Sequence, residues 1–272
     1  MADPGGSGPG GSGRPGGRQP EGALEARQVA VRFGGVSALR SVSLRFPTGI
    51  VHGLIGPNGA GKTTLFDALS GLTPVSDGRI LLDGVDITNR SPTWRSRQGI
   101  RRTFQRQQTF GWLSVEDNLV CALEWHGGGG GLLGDLVNAP SRRRLEAARR
   151  QRVEEVLELC GLARVRSVPA GNLTIGRARI VEIARAIVDH PRILLLDEPT
   201  SGLEEREVKR VGQLIGQVRD TEGCGIVLVE HDIGFVMREC DTVAVLNLGE
   251  VLAIGTPAEV GNDESVMAAY LG

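Results

Sequence analysis

Residues 49–64 read GIVHGLIGPNGAGKTT: a short apolar run, a glycine-rich turn, then helix-forming residues. The last nine, Gly56, Pro57, Asn58, Gly59, Ala60, Gly61, Lys62, Thr63 and Thr64, fit G-x-x-x-x-G-K-[ST] in the strand-to-helix context that gives the pattern its meaning. Glycines let backbone N–H groups close around an anion, and the N-terminus of the following helix adds a favourable dipole. In such a loop Lys62 supplies a point charge to the β- and γ-phosphates of a nucleoside triphosphate, and the Thr63 hydroxyl ligates Mg²⁺.

Working outward, RQVAVRF (residues 27–33) and SVSLRF (41–46) have the character of strands before the loop. Downstream, the apolar runs 193–196 and 226–229 look like fully buried strands, each followed by polar residues. Helical patterns lie between them. The fold class is α/β: a nucleotide-binding core with a mainly parallel sheet, an antiparallel β portion near the N-terminus and an inserted helical lobe at about residues 91–173. Within the lobe, residues 143–162 predict a helix with Leu145, Ala148, Val153, Val156 and Leu157 near one stripe. Residues 1–23 are mostly Gly, Pro, Ser and Arg and predict a disordered tail ahead of a single domain over 24–272. Five glycines at 127–131 predict a surface loop.

Lys and Arg number 31 against 32 Asp and Glu, and no basic tract offers the footprint that phosphate-backbone binding needs, so nucleic acid is not an expected partner. No apolar run approaches the roughly 20 residues that cross a hydrocarbon core, so membrane association is expected only through other proteins. Cys121, Cys160, Cys224 and Cys240 are widely spaced and predict buried or incidental thiols. The three tryptophans, Trp94, Trp112 and Trp125, fall in or beside the lobe. Core packing is the expectation for them, and an exposed patch that docks a membrane partner is the alternative. Arg95, Arg97, Arg101, Arg102 and Arg106 predict a solvated basic face rather than a contact with a permease loop or lipid head groups.

The sequence ILLLDEP (193–199) puts Asp197 and Glu198 at the end of a buried strand. One carboxylate there can hold Mg²⁺ through water and its neighbour can polarise an attacking water. His231, in IVLVEHD (226–232), follows another buried run at a strand's carboxyl end, where open α/β sheets collect ligands, and is a candidate for contact with the γ-phosphate.

Taken together these residues resemble the ATPase subunits of ABC transporters over nearly the whole chain after Leu24. Gln105 in RRTFQ matches the Q-loop glutamine, Leu173, Thr174, Ile175, Gly176 and Arg177 (LTIGR) stand where the signature usually reads LSGGQ, and Ser201 to Glu204 match the D-loop. Phe33 is the expected adenine-stacking aromatic. The resemblance implies ATP and Mg²⁺ as cofactors, with Thr63, Gln105 and Asp197 on the metal and Glu198, His231, Gln105 and Lys62 in catalysis. It also implies a second ATPase subunit, identical or different, whose signature completes the site in trans. Multi-spanning permease subunits, an extracytoplasmic solute-binding protein reached through them, and a place on the cytoplasmic face of the membrane follow from the same likeness.

Three positions depart from the family pattern: Thr174 for serine, Arg177 for glutamine, and Glu204 where Asp or Asn is common. GIRRTFQ (99–105) and the C-terminal VLNLGEVLAIGTPAEV and AAYLG resemble the ATP-binding subunits of branched-chain amino-acid importers. Urea or amide uptake, lipopolysaccharide export and a soluble regulatory ATPase are the competing expectations. A GTPase reading fails for want of an N-K-x-D motif.

Overall fold

The computed structural model describes residues 22–104, 108–124 and 140–271. The expected tail, the five-glycine loop, Gln105, Arg106 and Trp125 lie outside these residues or largely so.

Two sheets form. Strands β1 (Ala23–Phe33), β2 (Val36–Pro47), β4 (Asp77–Leu82) and β5 (Val85–Asp86) make an antiparallel sheet in the order β2-β1-β4-β5. The second sheet runs β10-β9-β3-β8-β7-β6, with β3 (Val51–Ile55), β6 (Ile100–Arg102), β7 (Ile193–Asp197), β8 (Gly225–Val229) and β9 (Thr242–Asn247) parallel and β10 (Glu250–Gly255) antiparallel at its edge. All five residues of β3, β7 and β8 are buried, as the uninterrupted apolar runs predict for strands covered on both faces.

The period-two alternation of these strands divides the interior. Leu54, Leu195, Val227 and Leu246 point into a core shared with the antiparallel sheet and helix α1 (Lys62–Ser70). Ile55, Leu194, Leu196, Leu228 and Val245 point into a second core with α3 (Val115–Glu124), α4 (Pro140–Leu159), α5 (Ile175–Ile187) and α6 (Glu205–Glu222). Burying each such side chain contributes roughly 2 kcal/mol, so the central strands are fixed from both sides and their C-terminal ends are rigid platforms.

Four expectations change. Residues 91–173 are not purely helical: after α2 (Pro92–Arg97), Ile100–Arg102 forms β6, the edge of the parallel sheet beside β7. Three residues are too few to carry a periodic signal. On α4 only Val153, Val156 and Leu157 of the expected stripe are buried, while Leu145 is 48% exposed and Ala148 is exposed, because only the C-terminal half of the helix reaches the core. Trp94 is half-buried against the first core, but Trp112 is 79% exposed. Its ring lies tilted by 51° to that of Phe110, at 5.9 Å between centroids.

The arginines do not form a solvated face. Arg95 is 1% exposed. Its guanidinium donates to Ala68 O at 2.6 Å and Leu69 O at 2.8 Å, the closing carbonyls of α1, and to Thr88 O at 2.8 Å. Arg101 pairs with Asp189 and Ser96, the Arg102 side chain is buried in ion pairs, and of the four arginines among the described residues only Arg97 is exposed. Each finds carbonyls or carboxylates across the fold that a linear reading does not contain. Three cysteines are buried and Cys121 is half-buried; burial pushes the Cys160 and Cys224 thiols up to about 12 and Cys240 higher still.

Candidate nucleotide site

The glycine-rich loop leaves the C-terminal end of β3 and closes into α1 at Lys62. Gly56 has φ 150°, and a Cβ there would stand 2.1 Å from Leu246 O, so only glycine lets the loop turn this close to β9. Gly61, with φ 102°, is the N-cap of α1. Lys62 is 6% exposed, and its Nζ donates to Gly56 O at 2.6 Å and Pro57 O at 3.0 Å across the loop. Burial lowers the ammonium's pKa while nearby Glu198 raises it. Thr63 occupies the second helical position, beside the free amides of the helix N-terminus.

Asp197 ends β7, and β8 lies between β7 and β3. The loop, the carboxylate pair and the segment after β8 therefore meet at the carboxyl ends of three neighbouring strands. Glu198 has φ 47°, and its amide donates to Val229 O at 2.9 Å, which turns the side chain off the strand axis. Its Oε1 lies 2.9 Å from His231 Nε2. That contact joins two sequence-predicted residues that are 33 positions apart; the carboxylate accepts and the ring nitrogen donates.

Two groups were not assigned a role from sequence. Glu230, 4% exposed, accepts from Thr200 N (2.7 Å) and Thr200 Oγ1 (2.6 Å) on one oxygen and from His231 N (3.1 Å) on the other. It ties the turn after Glu198 to the segment bearing His231. Its signal was an acid within an otherwise apolar run next to the histidine. Arg102 donates to Asp197 Oδ2 at 2.8 Å and to Asp67 Oδ1 at 2.6 Å, and nothing in RRTFQ separates it from its neighbour Arg101.

The remaining sequence-predicted residues stand apart from this cluster. Phe33, 55% exposed, ends β1. Thr174 is the N-cap of α5, its hydroxyl accepting from Arg177 N at 3.4 Å, so the departure from serine keeps the cap. Ile175 is 64% exposed, and Thr174 and Arg177 are exposed with it. Gly176 is buried: a Cβ there would meet the Glu207 carboxylate at 2.2 Å. Glu204 is the N-cap of α6, and its amide donates to Glu207 Oε2 at 3.3 Å.

Fold and loop together define a phosphate-loop nucleotide-binding protein of the α/β class. Residues 39–201 match the ABC transporter family, and residues 250–272 match the branched-chain amino acid ATP-binding cassette transporter family. The chain is 39% identical over 250 residues to the high-affinity branched-chain amino acid transport ATP-binding protein LivG of Escherichia coli, covering 92% of this chain and 97% of LivG. It is 37% identical over 249 residues to BraF of Pseudomonas aeruginosa, a protein of the same description, with the same coverage. The crystal structure of the ADP conformation of MJ1267, an ATP-binding cassette of an ABC transporter, superposes with a TM-score of 0.76 at 27% identity, over 92% of this chain and 99% of that one. The chain belongs to the ABC transporter family as an ATP-binding subunit, an ATPase that powers transport. Among the described residues no helix is long and apolar enough to cross a membrane.

Proposed function

We propose that this ATPase drives uptake of branched-chain or related amino acids and that it hydrolyses Mg²⁺·ATP between its own phosphate loop and the signature of a second ATPase subunit. The substrate class rests on one observation above others: the C-terminal residues 250–272, outside the general cassette, match a family specific to branched-chain amino acid transport.

The donor set fits a divalent cation. Thr63 at the start of α1 and Asp197 at the end of β7 offer a hydroxyl and a carboxylate at neighbouring strand ends, hard oxygen ligands of the kind Mg²⁺ takes. Gln105 is the third ligand in this reading. Bound there, the cation neutralises charge on the β- and γ-phosphates. Lys62, resting on the carbonyls of Gly56 and Pro57, transfers its ammonium to the phosphates. Glu198 takes the proton of the attacking water, and His231, held on Glu198 Oε1, orients that carboxylate and reaches the γ-phosphate. Phe33 stacks on adenine. The signature run from Leu173 to Arg177, with Thr174, Ile175 and Arg177 exposed, serves the ATP of the partner subunit.

A cleft of about 360 Å³, lined by Arg101, Phe104, Gln108, Phe110, Cys121, Glu182 and Arg185 among others, opens beside the exposed Trp112. We assign it to the permease, since an apolar rim over a polar floor suits docking of a membrane subunit. The chain then works at the cytoplasmic face of the membrane. Gentle affinity purification of the tagged chain from native membranes, with partners identified by mass spectrometry, tests the reading. Two multi-spanning permeases, a second ATPase and an amino-acid-binding protein are expected. Recovery of soluble partners alone would remove the importer assignment.

A further inference from the structure

Thr63, Asp67 and Ser70 follow one another at i, i+4 and i+7 and so share one face of α1. Arg102, the last residue of β6, reaches across to that face. Its Nη1 donates to Asp67 Oδ1 (2.6 Å) and Ser70 Oγ (3.0 Å), and its Nη2 donates to Asp197 Oδ2 (2.8 Å). The guanidinium lies over the rings of Phe66, 5.6 Å from its centroid, and Phe104, 5.2 Å away. Side-chain exposure is 7% for Arg102 and 9% for Asp197, so solvent screens the pair weakly. Arg102 Nε is buried without a hydrogen-bond partner. All the polar attachment therefore runs through the two terminal nitrogens, a pose set by the two carboxylates rather than by the strand.

A fixed cation thus rests on the carboxylate assigned above to the divalent cation, one turn along α1 from Thr63. Two positive groups cannot both take full benefit of one buried carboxylate. Arg102 also stands at the head of the segment that leads to Gln105. Its neighbour Thr103 accepts from Asp197 N at 3.3 Å, and Thr103 N donates to Leu195 O at 2.9 Å, so this segment follows β7 closely.

We propose that Arg102 is the resident counter-ion of Asp197, a positioning residue that neutralises the carboxylate in the nucleotide-free chain and withdraws from it when Asp197 turns to a divalent cation. Withdrawal loosens the tie between the end of β6 and α1, so the state of the metal position is passed to the adjoining cleft, which Arg102 and Phe104 also line. This rests on the reading of Asp197 as the metal-binding carboxylate.

The test uses the full chain carrying Glu198→Gln to stop turnover, with affinity for a fluorescent methylanthraniloyl-ATP measured in EDTA and across a titration of free Mg²⁺. Arg102→Met keeps the packing against Phe66 and Phe104 while removing the charge. It is expected to lower the half-effective Mg²⁺ concentration by about tenfold. Arg102→Lys, which keeps the charge, should return it close to the parent value. A residue that merely supports the fold would change the affinity in EDTA and the melting temperature but not the Mg²⁺ requirement. An unchanged or higher requirement in Arg102→Met overturns the proposal. Should that variant fail to fold, Asp67→Asn, which leaves Arg102 wholly to Asp197, is expected to raise the requirement severalfold, and a fall overturns the proposal. If the parent binds nucleotide equally with and without Mg²⁺, the reading of Asp197 itself fails and the proposal fails with it. If the parent responds to Mg²⁺ and Arg102→Met matches it, only the proposal fails.

Discussion

Lys62, in the loop, and Glu198, just after β7, make separable demands. Lys62→Ala removes the charge that reaches inside the loop to its carbonyls, and nucleotide affinity measured by titration calorimetry should fall by about two orders of magnitude. Glu198→Gln keeps shape and loses the base: binding should persist while phosphate release slows at least about a hundredfold. Turnover unchanged in Glu198→Gln would take that residue out of the base role. His52, on β3 just before the loop, is a third case, one of stability. It is 5% exposed, with Nδ1 2.7 Å from Thr242 Oγ1 and Nε2 3.2 Å from Pro47 O, so the neutral ring donates from Nε2 and accepts at Nδ1. Desolvation lowers its pKa below 6.5, against smaller opposing effects of Pro47 and Asp241. A lowered histidine pKa means that the unfolded chain binds the proton first. Stability is then full above about pH 7.5 and falls as pH drops through 6.5, by at most about 1.4 kcal/mol per pH unit. Melting temperatures between pH 5.5 and 8 should show this slope in the wild type and a flatter one in His52→Gln. Equal slopes would mean that His52 protonates in the folded chain as readily as in the unfolded one.

Among the elements, those with long or locally complete signals were legible in the sequence. The glycine loop carries its own turn chemistry, and β7 and β8 announce themselves by apolar runs of at least four residues. What was not legible depends on partners distant in the chain. Edge strand β6 is recognised only by its pairing with β7. Arg95 looked like a surface charge because its carbonyls lie 26 and 27 residues earlier. That arginine closes the C-terminus of α1, the helix whose other end holds the loop, together with the left-handed Gly71. Although burial lowers its pKa to about 10, it stays charged at neutral pH. Arg95→Ala leaves Ala68 O, Leu69 O and Thr88 O without this donor in a buried setting, and should cost about 3 kcal/mol of stability by urea unfolding. Loss of less than about 1 kcal/mol would show that water replaces the guanidinium at these carbonyls.

At the scale of the whole molecule, the site built on the parallel sheet and the signature on α5 are different surfaces. Lys62, Glu198, His231 and Asp197 converge at neighbouring strand ends, whereas Thr174, Ile175 and Arg177 are exposed at the start of α5. Ile175 is 64% exposed in the first turn of α5, just after its Thr174 cap, and in the proposed reading the occupant of that surface is a second ATPase. In the arrangement proposed above, Arg177 would bring a fixed cation toward the phosphates held by that second chain, where the family pattern has a neutral glutamine. Arg177→Gln should therefore weaken ATP binding at the partner's site by about tenfold, the loss of one charge-assisted contact, and leave this chain's own nucleotide affinity unchanged. Two measurements read the difference: nucleotide binding to the isolated chain, and to the assembled pair with the isolated chain's own site silenced by Lys62→Ala. An equal drop in both would mean either that the chain pairs with itself or that its signature acts on its own loop. Sedimentation of the isolated chain with and without ATP separates those two cases, because only self-pairing doubles the mass.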